Sequence, residues 1–248
     1  MRQTVVITDL TQMPSGDQVC IVGIGKNGDS VRPVCDGGFL KKYLYIDNKV
    51  SVKPGAKIEF DFTPVKTVPP HIEDKTFDPN SITSHGVCNS TEWEHILKSS
   101  SCTKVNDIYN GFLQDLSWVK PGAQTRSIGT LSGATALNVQ LSSEWEGKLK
   151  YRLSFKDGTG VVFNLPVSDL TFRELSYKRV KRENNPCSTI SAEITASIKK
   201  ADRIYIRLGL ARPWIQPGTS EPKCYLQVTG IYTFPDYLQG KTFADYKS

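Results

Sequence analysis

The sequence is poor in the residue types that most often carry metals or catalysis, with only three histidines in 248 residues. No run approaches the roughly 18 uninterrupted apolar residues of a membrane helix, and the mean hydropathy is −0.33, so no membrane association is expected. The opening MRQTVVITDL lacks an apolar core followed by a small-residue cleavage site, which points away from secretion and toward the cytoplasm. Six cysteines (Cys20, Cys35, Cys88, Cys102, Cys187 and Cys224) form no CxxC pair. They are expected as reduced thiols. No GxSxG, HExxH or GxxxxGK[ST] occurs, and no cysteine sits beside an evident histidine base,. A non-enzymatic protein without a cofactor is expected.

What is present is a globular composition, 38% hydrophobic, 23% charged and 10% aromatic, which excludes a disordered or collagen-like chain. The length admits one large domain or two of about 120 residues each. Net charge is +6, unevenly spread: residues 1–124 hold 13 Lys/Arg and 14 Asp/Glu, and residues 125–248 hold 18 and 11. The first half is thus −1 and the second +7. A positive half steers polyanions toward itself, which bears on partners and not on fold.

Hydrophobic alternation marks the strands. In KLKYRLSFK (148–156), Leu149, Tyr151, Leu153 and Phe155 alternate with Lys148, Lys150, Arg152, Ser154 and Lys156, giving one apolar and one nearly all-basic face. A glycine turn and VVFNL (161–165) complete a hairpin. RIYIRLGL (203–210) places Ile204, Ile206, Leu208 and Leu210 on one face and Arg203, Tyr205 and Arg207 on the other. CYLQVTGIY (224–232) is a further strand, and VVI (5–7), VCIVGI (19–24) and KIEFDF (57–62) are strands of the first half. Short helices are expected over 90–99 and 104–114, and longer ones over 169–183, capped by Ser168 or Asp169, and from Asn185-Pro186 onward with Ile190, Ile194 and Ile198 on one stripe. The pattern is mainly β with a few helices. A join is expected near 117–126, where Pro121-Gly122 breaks the chain, dividing it into domains 1–118 (with a helical insertion) and 119–248 (with basic helices).

Three motifs fail on context. Gly23-Ile-Gly25-Lys-Asn-Gly28 satisfies GxGxxG, but no helix-like period follows to receive a pyrophosphate, and Asn27-Gly28 between apolar runs reads as a hairpin turn. His85, Cys88, His95 and Cys102 have zinc-compatible side chains at spacings that match no common zinc knuckle. Glu221-Pro-Lys223 resembles the ExK end of a metal-dependent nuclease site, yet proline disturbs the strand that would present both side chains.

Basic strand faces remain. Nucleic acid calls for cations along a groove and flat rings for bases. Lys148, Lys150, Arg152, Arg203, Arg207 and Arg212 supply the first, and Tyr205, Trp214, Tyr225 and Tyr232 the second. Lysines on a strand face also keep a sheet soluble and discourage edge pairing, so these residues alone leave both readings open.

RSIGTL (126–131), VVFNLPVSDLTFRE (161–174), RIYIRLGLARPW (203–214) and CYLQVTGIYTFPDYL (224–238) resemble the prokaryotic dual OB-fold-containing domain proteins. VRPV (31–34) and PPHIED (69–74) are similar to the same pattern. The resemblance implies two OB-like five-stranded Greek-key barrels packed together, in a cytoplasmic protein of a prokaryotic defence or mobile-element setting. Exposed faces of such barrels commonly bind oligonucleotides. The expected function is non-enzymatic binding of DNA or RNA. Alternatives are an adaptor for a protein partner of the same system and a metal-dependent nuclease.

Overall fold

The computed structural model describes residues 1–144 and 148–247. In the first half, β1 (Arg2–Gln12), β2 (Gln18–Gly25), β3 (Ser30–Val34), β4 (Ala56–Thr63) and β5 (Asp74–Phe77) pair in the order β1-β2-β3-β5-β4. Strand β4 returns to β1, from Arg2 opposite Asp61 to Val6 opposite Lys57, so the barrel closes. All pairs are antiparallel except β3–β5, which is parallel. Period-two patterning produces this core: Ala56, Ile58, Phe60 and Phe62 turn inward along β4. Phe60 meets Phe77 edge-on at 5.2 Å. The GxGxxG stretch is the β2–β3 hairpin, with Gly28 at φ 80°, a left-handed conformation that suits glycine,.

The chain continues with α1 (Ser90–Ser99), α2 (Val105–Ile108), β6 (Trp118–Val119), β7 (Ile128–Ser132), β8 (Thr135–Ser143), β9 (Leu149–Lys156) and β10 (Val162–Pro166). It continues with α3 (Leu170–Tyr177), α4 (Cys187–Lys199), β11 (Arg203–Leu210), β12 (Trp214–Ile215) and β13 (Pro222–Phe234). One sheet runs β7-β11-β13-β6 and another β8-β9-β10. The two meet through a parallel bridge between Val167 and Val228 just beyond β10 and through the turn joining β7 to β8, where Gly133 has φ 69°. The free edge of β8 is covered by α4. The Leu141 and Val139 amides donate to the Ser191 and Thr195 hydroxyls at 3.0 and 2.8 Å, which keeps that edge from pairing elsewhere.

The expected helix over 104–114 is a single turn, and the one over 169–183 stays α-helical only to Tyr177 before a π-helical turn over Lys178–Arg182. Asp169 caps α3, accepting from the Phe172 amide at 2.9 Å,. Ile190, Ile194 and Ile198 are all buried on α4. The expected junction at 118/119 falls inside β6, which pairs with β13. Val105, Ile108 and Tyr109 join the second core, and Leu170 and Phe243 join the first. Among the described residues no helix is long and apolar enough to cross a membrane.

Candidate nucleic-acid interface

The two halves meet on the face of β11 and β13 that period two alone assigns to solvent. Arg207 is fully buried there. Its Nε donates to Asp9 Oδ2 at 2.9 Å and its Nη1 to Thr130 Oγ1 at 2.8 Å. Thr8 and Thr229 hydroxyls donate to the same Asp9 carboxylate. Tyr232 donates to the Thr8 carbonyl at 2.7 Å, and Tyr205 packs with Leu97 and Phe234. Arg207, Tyr205 and Tyr232 therefore serve the junction, a correction to their expected exposure. The reason is that the first barrel and α1 cover the second face of the sheet. Arg203 remains exposed, ion-paired with Glu94 of α1.

A second polar cluster ties the two halves together. Arg32 of β3 reaches Ser127 Oγ at 2.7 Å and Asp74 at 3.1 Å. The Glu73 carboxylate accepts from the Ser127 amide and hydroxyl at 2.7 and 2.8 Å. Beside them, burial and the Arg32 charge push the His71 imidazole down to about 4. Burial raises the Asp169 carboxyl to about 7.

The basic strand has the expected alternation. Lys150 and Lys156 are exposed and Arg152 half-buried on the outer face of β9, with Leu149, Tyr151, Leu153 and Phe155 inside. Lys148 is exposed just before that strand. Lys150 pairs with Glu144, and Arg152 Nε donates to Asn164 at 2.9 Å. This face belongs to the β8-β9-β10 sheet, on a different sheet from the remaining candidates.

Trp214 and Tyr225 come together at the start of β13. Trp118 lies opposite Tyr225, and Trp214 opposite Lys223. Residues 223 and 225 share a strand face, so three rings and an ammonium occupy one face. The Trp214 and Tyr225 rings are 5.9 Å apart at 61°, and the Lys223 ammonium sits 4.3 Å above the Trp118 ring. Tyr225 OH donates to Gln216 at 3.0 Å, and the Trp118 indole to Asp115 at 3.0 Å, which fixes both ring planes. Trp214 remains half-exposed at 52%. Arg212 pairs with Asp74 at 2.8 Å while 52% of its side chain stays exposed. Trp118 and Lys223 are additions that the sequence marks only as a tryptophan before Lys-Pro-Gly and a lysine inside Glu-Pro-Lys.

The histidine–cysteine set does not assemble: His85 is on an exposed strand near Glu59, at 3.6 Å, His95 lies on α1, and Cys88 and Cys102 flank that helix. Among the described residues no three His, Cys, Asp or Glu side chains are grouped to hold a metal ion. Lys223 of the ExK stretch is engaged with the Trp118 ring. Comparison with known families, with curated proteins and with solved structures returns no match.

Proposed function

We propose that the chain is a pair of packed OB-like barrels that binds single-stranded nucleic acid, without catalysis, on the Trp118–Tyr225–Trp214 face of the second. The strand order supports the architecture: β1-β2-β3-β5-β4-β1 with its parallel β3–β5 closure is echoed by β8-β9-β10-β13-β11-β7, with Val167–Val228 as the parallel contact. Such barrels present sheet faces and loops to oligonucleotides. The observation that carries the reading is the half-exposed Trp214 ring beside Tyr225 and Trp118, with Lys223 alongside. Rings of this kind stack bases of any identity, and cations nearby neutralise phosphates. The net +7 of residues 125–248 adds long-range attraction.

Intrinsic tryptophan fluorescence, titrated with short single strands and with duplexes at several salt concentrations, tests this. Saturable quenching by single strands, weakening as salt rises, is expected. Absent or salt-insensitive quenching contradicts it.

A further inference from the structure

A cleft of about 790 Å³ opens between the barrels, next to but distinct from the ring-bearing face. Its volume lies within the roughly 300–1,000 Å³ usual for small-molecule sites. Three arginines line it: Arg32 from β3, Arg173 from α3 and Arg212 after β11. Arg32 and Arg212 share one carboxylate, Asp74, through its two oxygens at 3.1 and 2.8 Å. Glu73 stands beside Arg32 as a further carboxylate, so the surplus positive charge is that of Arg173, whose guanidinium lies 4.6 Å from the Tyr151 ring. Asp9, also in the lining, is already neutralised by Arg207 at 2.8 Å.

The decisive group is Arg32. Its side chain is only 6% exposed, and its Nη atoms are committed to Ser127, Asp74 and His71, yet its Nε has no partner. A buried donor without an acceptor costs about 1–3 kcal/mol, more when charged, and each such orphan in a native fold calls for an explanation, a water or an ion among them. The rest of the cleft is suited to a ring. Val19, Phe39 and Leu210 supply apolar wall, Gln227 offers an amide that donates and accepts, and Gln12, whose amide nitrogen already donates to the Met13 and Gly16 carbonyls, offers its oxygen,.

From this combination of guanidiniums, apolar wall and amides we propose that the cleft binds a phosphate carried on a nucleoside, with the phosphate toward Arg32 and Arg173 and the base against Val19, Phe39 and Leu210. Arginine is the residue best matched to phosphate geometry. The proposal does not depend on strand binding at the Trp214 face.

Calorimetric titration of the full chain with the four ribonucleoside 5′-monophosphates, the matching nucleosides and inorganic phosphate is the test. At least one monophosphate is expected to bind one-to-one, with nucleoside and inorganic phosphate at least about tenfold weaker, since each lacks one half of the recognition. Arg173→Ala is expected to weaken that binding about tenfold or more, and Lys150→Ala, on the separate β8-β9-β10 sheet, to leave it unchanged. Arg32→Gln should abolish binding; if that variant fails to fold, Arg173→Ala alone decides. Displacement by a 5′-phosphorylated oligonucleotide but not its 5′-hydroxyl form assigns the phosphate to a strand end. No displacement by either assigns it to a free nucleotide, and both outcomes uphold the site. No binding of any monophosphate, or binding unaffected by Arg173→Ala, overturns the proposal.

Discussion

Arg207 and Asp9 face each other at 2.8 Å with both side chains sealed from water, so each is tolerable only because the other is present. Removing one partner leaves a buried charge alone, at a cost of about 3–5 kcal/mol. Asp9→Asn and Arg207→Met should each lower the urea midpoint accordingly. The double variant should lose clearly less than the sum, because no orphan charge remains. Asp169 makes a different prediction. Its folded-state value of about 7 lies above the ordinary carboxylate range, so the folded chain keeps a proton that the unfolded chain gives up. Its contribution to stability is therefore present in acid and is lost as pH rises from about 4 toward 7. His71, held near 4 by burial and Arg32, acts oppositely: stability is lost as pH falls from about 6.5 toward 4. Asp169→Asn should gain stability relative to the parent by about 1.4 kcal/mol per pH unit across the Asp169 window. Chemical denaturation at a series of pH values measures it, and a constant offset between the two chains would refute the assignment.

At the scale of elements, α4 lies along the free edge of β8 and its Ser191 and Thr195 hydroxyls receive the edge amides. Ser191→Ala with Thr195→Val should cost about 1 kcal/mol per bond. The same change should speed hydrogen exchange at the Leu141 and Val139 amides and spare the paired amides of β9. The strands themselves were legible in the sequence wherever one face is apolar and the other wet, as along Lys148–Lys156 and Lys57–Phe62. Alternation reports which side chains leave water on one side, so it fails where both sides are covered. That is why Arg207 and Tyr205 read as surface residues: the covering comes from Thr8, Asp9 and α1, far away in sequence. The short β6 went unread because two residues carry no period, and with it went Trp118. Trp214 and Tyr225 were legible as a group, since a single hairpin brings them together.

For the molecule as a whole, the halves behave as one unit. Arg207, Tyr232 and Thr229 of the second half bind Thr8 and Asp9 of the first, Arg32 and Glu73 clasp Ser127 in return, and Phe243 from the C-terminal segment fills the first core. A single cooperative unfolding transition is expected, with tryptophan fluorescence and far-ultraviolet dichroism coinciding. Two separated transitions would contradict it. Within that frame the nucleic-acid reading places binding on the Trp214 face and not on the separate lysine face of β9. The most direct measurement compares the Kd for a short single strand in the parent chain, Trp214→Ala and Lys150→Ala under one salt condition. Loss of a stacking ring should cost about 1–3 kcal/mol, so Trp214→Ala should weaken binding by about tenfold or more while Lys150→Ala changes it little. Equal affinity in the parent and Trp214→Ala would contradict the account.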